Sequence, residues 1–126
     1  MTMIALLIAL APVGAINPAV TQANIGETIC VMGWTKTVRP PRSYTSQLKR
    51  LQMRELGLPG RMSDYEEDHL IPLELGGHPT DERNLWPQPI DDALAKDKLE
   101  RKLNREVCRR RMSLKAAQAA ILRSVR

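Results

Sequence analysis

A small, mainly helical α+β domain is what this sequence predicts, and three observations predict it. The segment 65–71, Tyr-Glu-Glu-Asp-His-Leu-Ile, is short, lies between a polar turn and Pro72, and suits a strand better than a helix. Two longer stretches, 43–56 and 92–111, place apolar residues at helical spacing. Cys30 and Cys108 are the only cysteines, and an even pair in a small exported chain reads as one disulfide. With 126 residues there is room for one such domain and not for two.

The chain carries no charge before Glu27. Residues 3–11 are apolar over the length of a signal-peptide core and are too short to span a bilayer. Small residues precede possible cuts after Ala15 and after Ala23, although no Lys or Arg stands ahead of the run. Residues 1–23 are therefore expected to be a signal peptide or N-terminal hydrophobic segment, with the domain at 24–126. The expected location is exported, periplasmic or extracellular, with no stable membrane span.

Within the domain, 31–42 is expected to be extended or looped up to Pro40-Pro41, with Lys36, Arg39 and Arg42 as a basic rim. Tyr44, Leu48, Leu51 and Leu56 give the helix at 43–56 one apolar side, and Gly57 and Pro59 stop it. Lys49, Arg50 and Arg54 lie off that side, as a solvated surface or as phosphate contacts. Alternation along the strand at 65–71 sends Asp68 and His69 to opposite faces. Pro72 ends the ladder, Gly76-Gly77 allows the chain to turn, and Asn84 on the returning segment can hydrogen-bond loop backbone or an imidazole. Asp91 and Asp92 open the helix at 92–111, whose apolar stripe is Ala95, Leu99, Leu103 and Val107. Ser113 can cap a last helix with Leu114, Ala117, Ile121 and Val125 on one side.

Chemical density is greatest in 65–88. There Asp68-His69-x-x-Pro72, Gly76-Gly77 and Asn84-Leu85 resemble the HNH, or ββα-metal, nuclease motif. The wording Glu-Asp-His-Leu-Ile-Pro-Leu-Glu-Leu-Gly-Gly at 67–77 and Asn-Leu-Trp-Pro-Gln at 84–88 is closer still to a group of small exported bacterial HNH-like proteins. The resemblance extends to 28–30, 34–41, Lys96-Asp97 and Val107-Cys108, and so to most of the chain beyond residue 24.

The resemblance implies an HNH-like domain with its motif at 65–97 and the activity of a metal-dependent endonuclease, hydrolysing phosphodiester bonds in DNA or RNA. His69 would be the general base, Asn84 would hold the loop, and Asp68 would bind a divalent metal, Mg²⁺ or Mn²⁺. The family's second metal ligand is a His or Asn on the following helix. Asp92 is the expected substitute here, with Asp91 and Asp97 as alternatives. Lys96 would neutralise a phosphate, together with Lys36, Arg39 and Arg42.

Glu66 and Glu67 are read as orienting His69 or pairing with the basic rim, His78 as a solvated loop residue, and Trp86 as core. Nineteen Lys and Arg against fourteen Asp and Glu, all after residue 26, favour a polyanionic partner. The absence of Phe, with two Trp and two Tyr, argues against a base-stacking platform. No Cys-x-x-Cys pair is present, which excludes the zinc-knuckle form of the motif. The alternative function is a catalytically degenerate exported protein of the same fold that binds nucleic acid or a protein partner.

Overall fold

The computed structural model of the chain describes residues 13–125. The apolar run at 3–11 lies outside the described residues. Four α-helices are found among them: α1 (Trp34–Val38), α2 (Arg42–Leu56), α3 (Ile90–Cys108) and α4 (Leu114–Ser124). Between α2 and α3 two strands, β1 (Tyr65–His69) and β2 (Leu85–Pro89), form an antiparallel pair. The molecule is thus a small α+β domain, with strand, loop, strand and helix following one another from residue 65 to 108.

Local chemistry sets most of the boundaries. α2 ends where Gly57 turns into the left-handed region at φ 64°, which a side chain would disfavour. α4 begins at a capped end, where the Ser113 hydroxyl accepts the Ala116 N–H at 3.0 Å. β2 contains Pro87 and Pro89, residues that a central strand would not admit; in a sheet of two strands each has a free edge. The register pairs Glu67 with Pro87, Asp68 with Trp86 and His69 with Leu85.

The main core gathers Ile25, Ile71, Leu75, Leu103, Val107 and Ile121 from well-separated parts of the chain. Cys30 and Cys108 are joined across it with their Cα atoms 5.6 Å apart. Closing a loop of 78 residues stabilises the fold by about 4 kcal/mol on the chain-entropy view.

Two sequence expectations are corrected. The boundary at residue 24 is too late, because Val20 is buried in the core and residues 14–17 are bonded to the loop before β2. The Gly14 N–H donates to the Arg83 carbonyl at 2.8 Å, the Asn17 N–H to that of Gly76 at 2.8 Å, and the His78 N–H to that of Ala15 at 2.8 Å. Both expected cut positions therefore fall inside chain that is built into the domain. The segment 31–42, expected to be extended or looped, contains the five-residue α1. Its weak polar/apolar alternation is overridden by packing of Trp34 against the core and by the Thr37 hydroxyl bonding back to the Trp34 carbonyl at 2.7 Å.

Candidate functional site

The two faces of β1 meet different helices. Asp68 lies on the face crossed by α3, while Tyr65, Glu67 and His69 share the other face, towards α2. α3 buries Ala93, Lys96, Glu100, Leu103 and Val107, a stripe with alternating steps of three and four residues. Two of its five positions carry charges, and those charges form the centre of the site.

The Lys96 side chain is 3% exposed, and its ammonium has three acceptors: Asp68 Oδ2 at 2.9 Å, the His69 carbonyl at 2.7 Å and Glu100 Oε1 at 2.6 Å. An ammonium has three N–H donors, so all are used. Burial lowers the Lys96 pKa and the two carboxylates raise it; the carboxylates prevail, and the group stays charged. Burial pushes the Asp68 carboxyl up against the opposing pull of Lys96, and pushes Glu100 up to about 7 against the same pull. The expectation that Lys96 contacts a phosphate is corrected: its charge is directed inward.

His69 is 7% exposed and stands at the end of β1, with Nε2 2.9 Å from the Pro79 carbonyl. A carbonyl can only accept, so Nε2 carries the hydrogen. Burial lowers the ring pKa to about 4, only partly offset by the Pro79 contact, so the ring is neutral near pH 7 and Nδ1 keeps its lone pair.

Asn84 is fully buried and closes the loop that carries Pro79. Its Oδ1 accepts the Ile71 N–H at 3.0 Å and the Ala15 N–H at 3.2 Å; its Nδ2 donates to the Ile71 carbonyl at 3.0 Å and the His78 carbonyl at 2.9 Å. The two glycines of this loop do different things. Gly76 supplies φ 77°, whereas a Cβ on Gly77 would overlap the Ile71 carbonyl oxygen and crowd Asn84 Nδ2. His78 is half-buried rather than solvated, and its Nδ1 accepts the N–H groups of Thr80 and Asp81 at 3.2 and 3.0 Å.

Two adjoining clefts of about 510 and 360 Å³ open beside β1, and Arg39, Glu66, Asp68, His69 and Asp97 line both. Arg42 lines the larger, as does Lys49, which the sequence left as either solvated surface or a phosphate contact. The Lys49 ammonium donates to the carbonyls of Met62 and Tyr65 at 2.8 and 2.9 Å, which fixes it against the start of β1. Lys36 is exposed and lines neither cleft.

Asp92 is likewise removed from Asp68 and His69. It lies exposed beside a separate depression with Trp86, Gln88 and Leu99. Asp97, five residues on and roughly 140° further round the helix, is the α3 aspartate that shares the clefts with His69. Trp86, expected in the core, is half-buried with its indole N–H unpartnered.

These residues do not fit the divalent ion that the family resemblance implies. Asp68 Oδ2 is engaged by Lys96, the expected second ligand faces elsewhere, and among the described residues no group of three or more His, Cys, Asp or Glu side chains is arranged to hold a metal. Mg²⁺ also demands near-ideal oxygen geometry. Glu67 differs from the other carboxylates: both its oxygens are buried without a hydrogen-bond partner, and burial pushes it up to about 8. No family model, curated protein or solved structure matches the chain. Fold and site together define a small disulfide-closed α+β domain with a buried histidine at a cation-rimmed cleft.

Proposed function

We propose that the protein hydrolyses phosphodiester bonds in nucleic acid, DNA or RNA, with His69 as general base. The observation that carries this reading is the fixed, neutral imidazole: Nε2 is committed to the Pro79 carbonyl, which leaves Nδ1 as the only ring atom free to take a proton. The motif resemblance at 67–77 and 84–88 supports it, as does a net charge of +5.

In the reaction, a water in the cleft attacks phosphorus and gives its proton to His69 Nδ1, and the P–O bond to the leaving oxygen breaks. That oxygen takes a proton from solvent. The Arg39 guanidinium, which lines both clefts, neutralises charge on the phosphate, and Arg42 binds a neighbouring one. Asn84 holds the loop and with it the Pro79 carbonyl that sets the ring's orientation. The disulfide fits an exported protein, and no described helix is long and apolar enough to cross a membrane.

The test is cleavage of plasmid DNA and of a structured RNA by the wild type beside His69→Ala. Loss of about 10²-fold or more in rate is expected for removal of a general base. Equal cleavage by both proteins would end the proposal. Binding of nucleic acid without cleavage by the wild type would favour a binding protein of the same fold.

A further inference from the structure

We propose that the Lys96 ammonium is the resident cation of this site, and that hydrolysis consequently proceeds without a bound divalent metal. The inference rests on the hydrolytic reading of the His69 cleft. It begins from the disagreement between what the motif implies and what the side chains do.

Asp68, the residue expected to hold a metal, instead accepts from Lys96 at 2.9 Å. The same ammonium reaches Glu100 Oε1 at 2.6 Å and the His69 carbonyl at 2.7 Å, so three oxygens from two elements converge on one buried positive charge. Lys96 and Glu100 are four residues apart on the buried stripe of α3, and packing that stripe onto the sheet brings the ammonium to Asp68. The cation is installed by folding itself. Displacing it would strand a 3%-exposed ammonium without acceptors, which a competing ion would have to overcome.

The role this gives Lys96 is that of a positioning residue. Its bond to the His69 carbonyl fixes the backbone from which the imidazole projects, and its charge holds the Asp68 carboxylate against the carboxylates of Glu66 and Asp97 nearby. Lys96 does not touch the substrate. Charge developing on the phosphate is met by Arg39, which lines both clefts. The rival arrangement is an ion between the other Asp68 oxygen and Asp97.

Mn²⁺ titration followed by electron paramagnetic resonance, run beside cleavage assays with EDTA or with Mg²⁺, separates the two. For the wild type the expected result is no Mn²⁺ site that depends on Asp68 and a cleavage rate unaltered by EDTA. Lys96→Ala, which leaves three oxygens around an empty position, should gain Mn²⁺ binding that Lys96→Ala/Asp68→Asn loses again. Mn²⁺ binding by the wild type that is abolished by Asp68→Asn, or EDTA-sensitive cleavage restored by Mg²⁺, would overturn the proposal. If Lys96→Ala does not fold, the wild-type titration still decides. Failure of the hydrolytic reading would show separately, as no His69-dependent cleavage under any condition, while the Mn²⁺ titration would continue to judge Lys96.

Discussion

Lys96 and Glu67 are both ionisable, both drawn into the interior beside β1, and oppositely treated. On the α3 side of the strand, the ammonium has every donor matched to an oxygen between 2.6 and 2.9 Å. On the α2 side, two residues before the histidine, both carboxyl oxygens of Glu67 are buried without partners. The difference teaches that burial alone does not determine charge. A buried group keeps its charge when its hydrogen-bonding capacity is filled, as for Lys96, and otherwise gives it up by holding a proton, as Glu67 does with a pKa near 8.

The largest expected effect comes from breaking the satisfied side. Lys96→Met keeps most of the volume but leaves Asp68 and Glu100 facing each other, and it should lower unfolding stability by about 3–5 kcal/mol, as for other broken buried ion pairs. Urea unfolding at neutral pH measures it. A loss within the scatter of surface substitutions would mean that the triad is not formed.

Asn84→Ala should come next. It strands the Ile71 N–H and carbonyl together with the Ala15 N–H and the His78 carbonyl, of which those of Ile71 are buried. About 3 kcal/mol is expected from several unmade hydrogen bonds, with faster amide exchange at Ile71 and Ala15. Exchange unchanged at those two amides would contradict the staple.

The unsatisfied side is probed by pH. Glu67 has a folded pKa of about 8, above the ordinary carboxylate value near ~4.3, so the folded state binds its proton more tightly than the unfolded state. Its contribution to stability is fully present below the unfolded value and is lost as pH rises through 8. Glu67→Gln cannot ionise, and its melting temperature should climb relative to wild type between about pH 5 and about pH 9. A difference that stays constant over that range would show that Glu67 is not a buried proton carrier.

The smallest effect is expected at Asp92, which is exposed and turned away from the clefts. Asp92→Ala should change stability by no more than about 0.5 kcal/mol and leave cleavage intact. A loss of activity there would restore the aspartate to the site.

Much of the fold was legible because strong local signals agreed with it: the strand ahead of Pro72, the Gly57 stop, the Ser113 cap and the paired cysteines. The short helix at 34–38 was not legible, since a five-residue helix owes its existence to tertiary packing rather than propensity. β2 was implied by the ββα resemblance but could not be read from its residues, because its prolines are tolerated only in a sheet of two strands. In the site, the sequence brought out Asp68, His69 and Asn84 but set Lys96 against a phosphate, as the family resemblance implies. A signal was present. Reading 93, 96, 100, 103 and 107 as one helical stripe places Lys96 and Glu100 four residues apart among core positions, and such a pair can enter a core by neutralising itself. The same count does not choose between the aspartates, since Asp92 lies only about 40° from Lys96 on the helix and Asp97 about 100°; the packing of α3 against β1 is what brings Asp97 to the clefts.

The account turns on His69 being a neutral base held through Nε2, and the imidazole nitrogen chemical shifts of isotopically labelled protein test this directly. At about pH 6, where an ordinary histidine is largely protonated, His69 should show one protonated nitrogen, Nε2, and one bare nitrogen, Nδ1. A ring protonated at both nitrogens at that pH, or carrying its single proton on Nδ1, would contradict it.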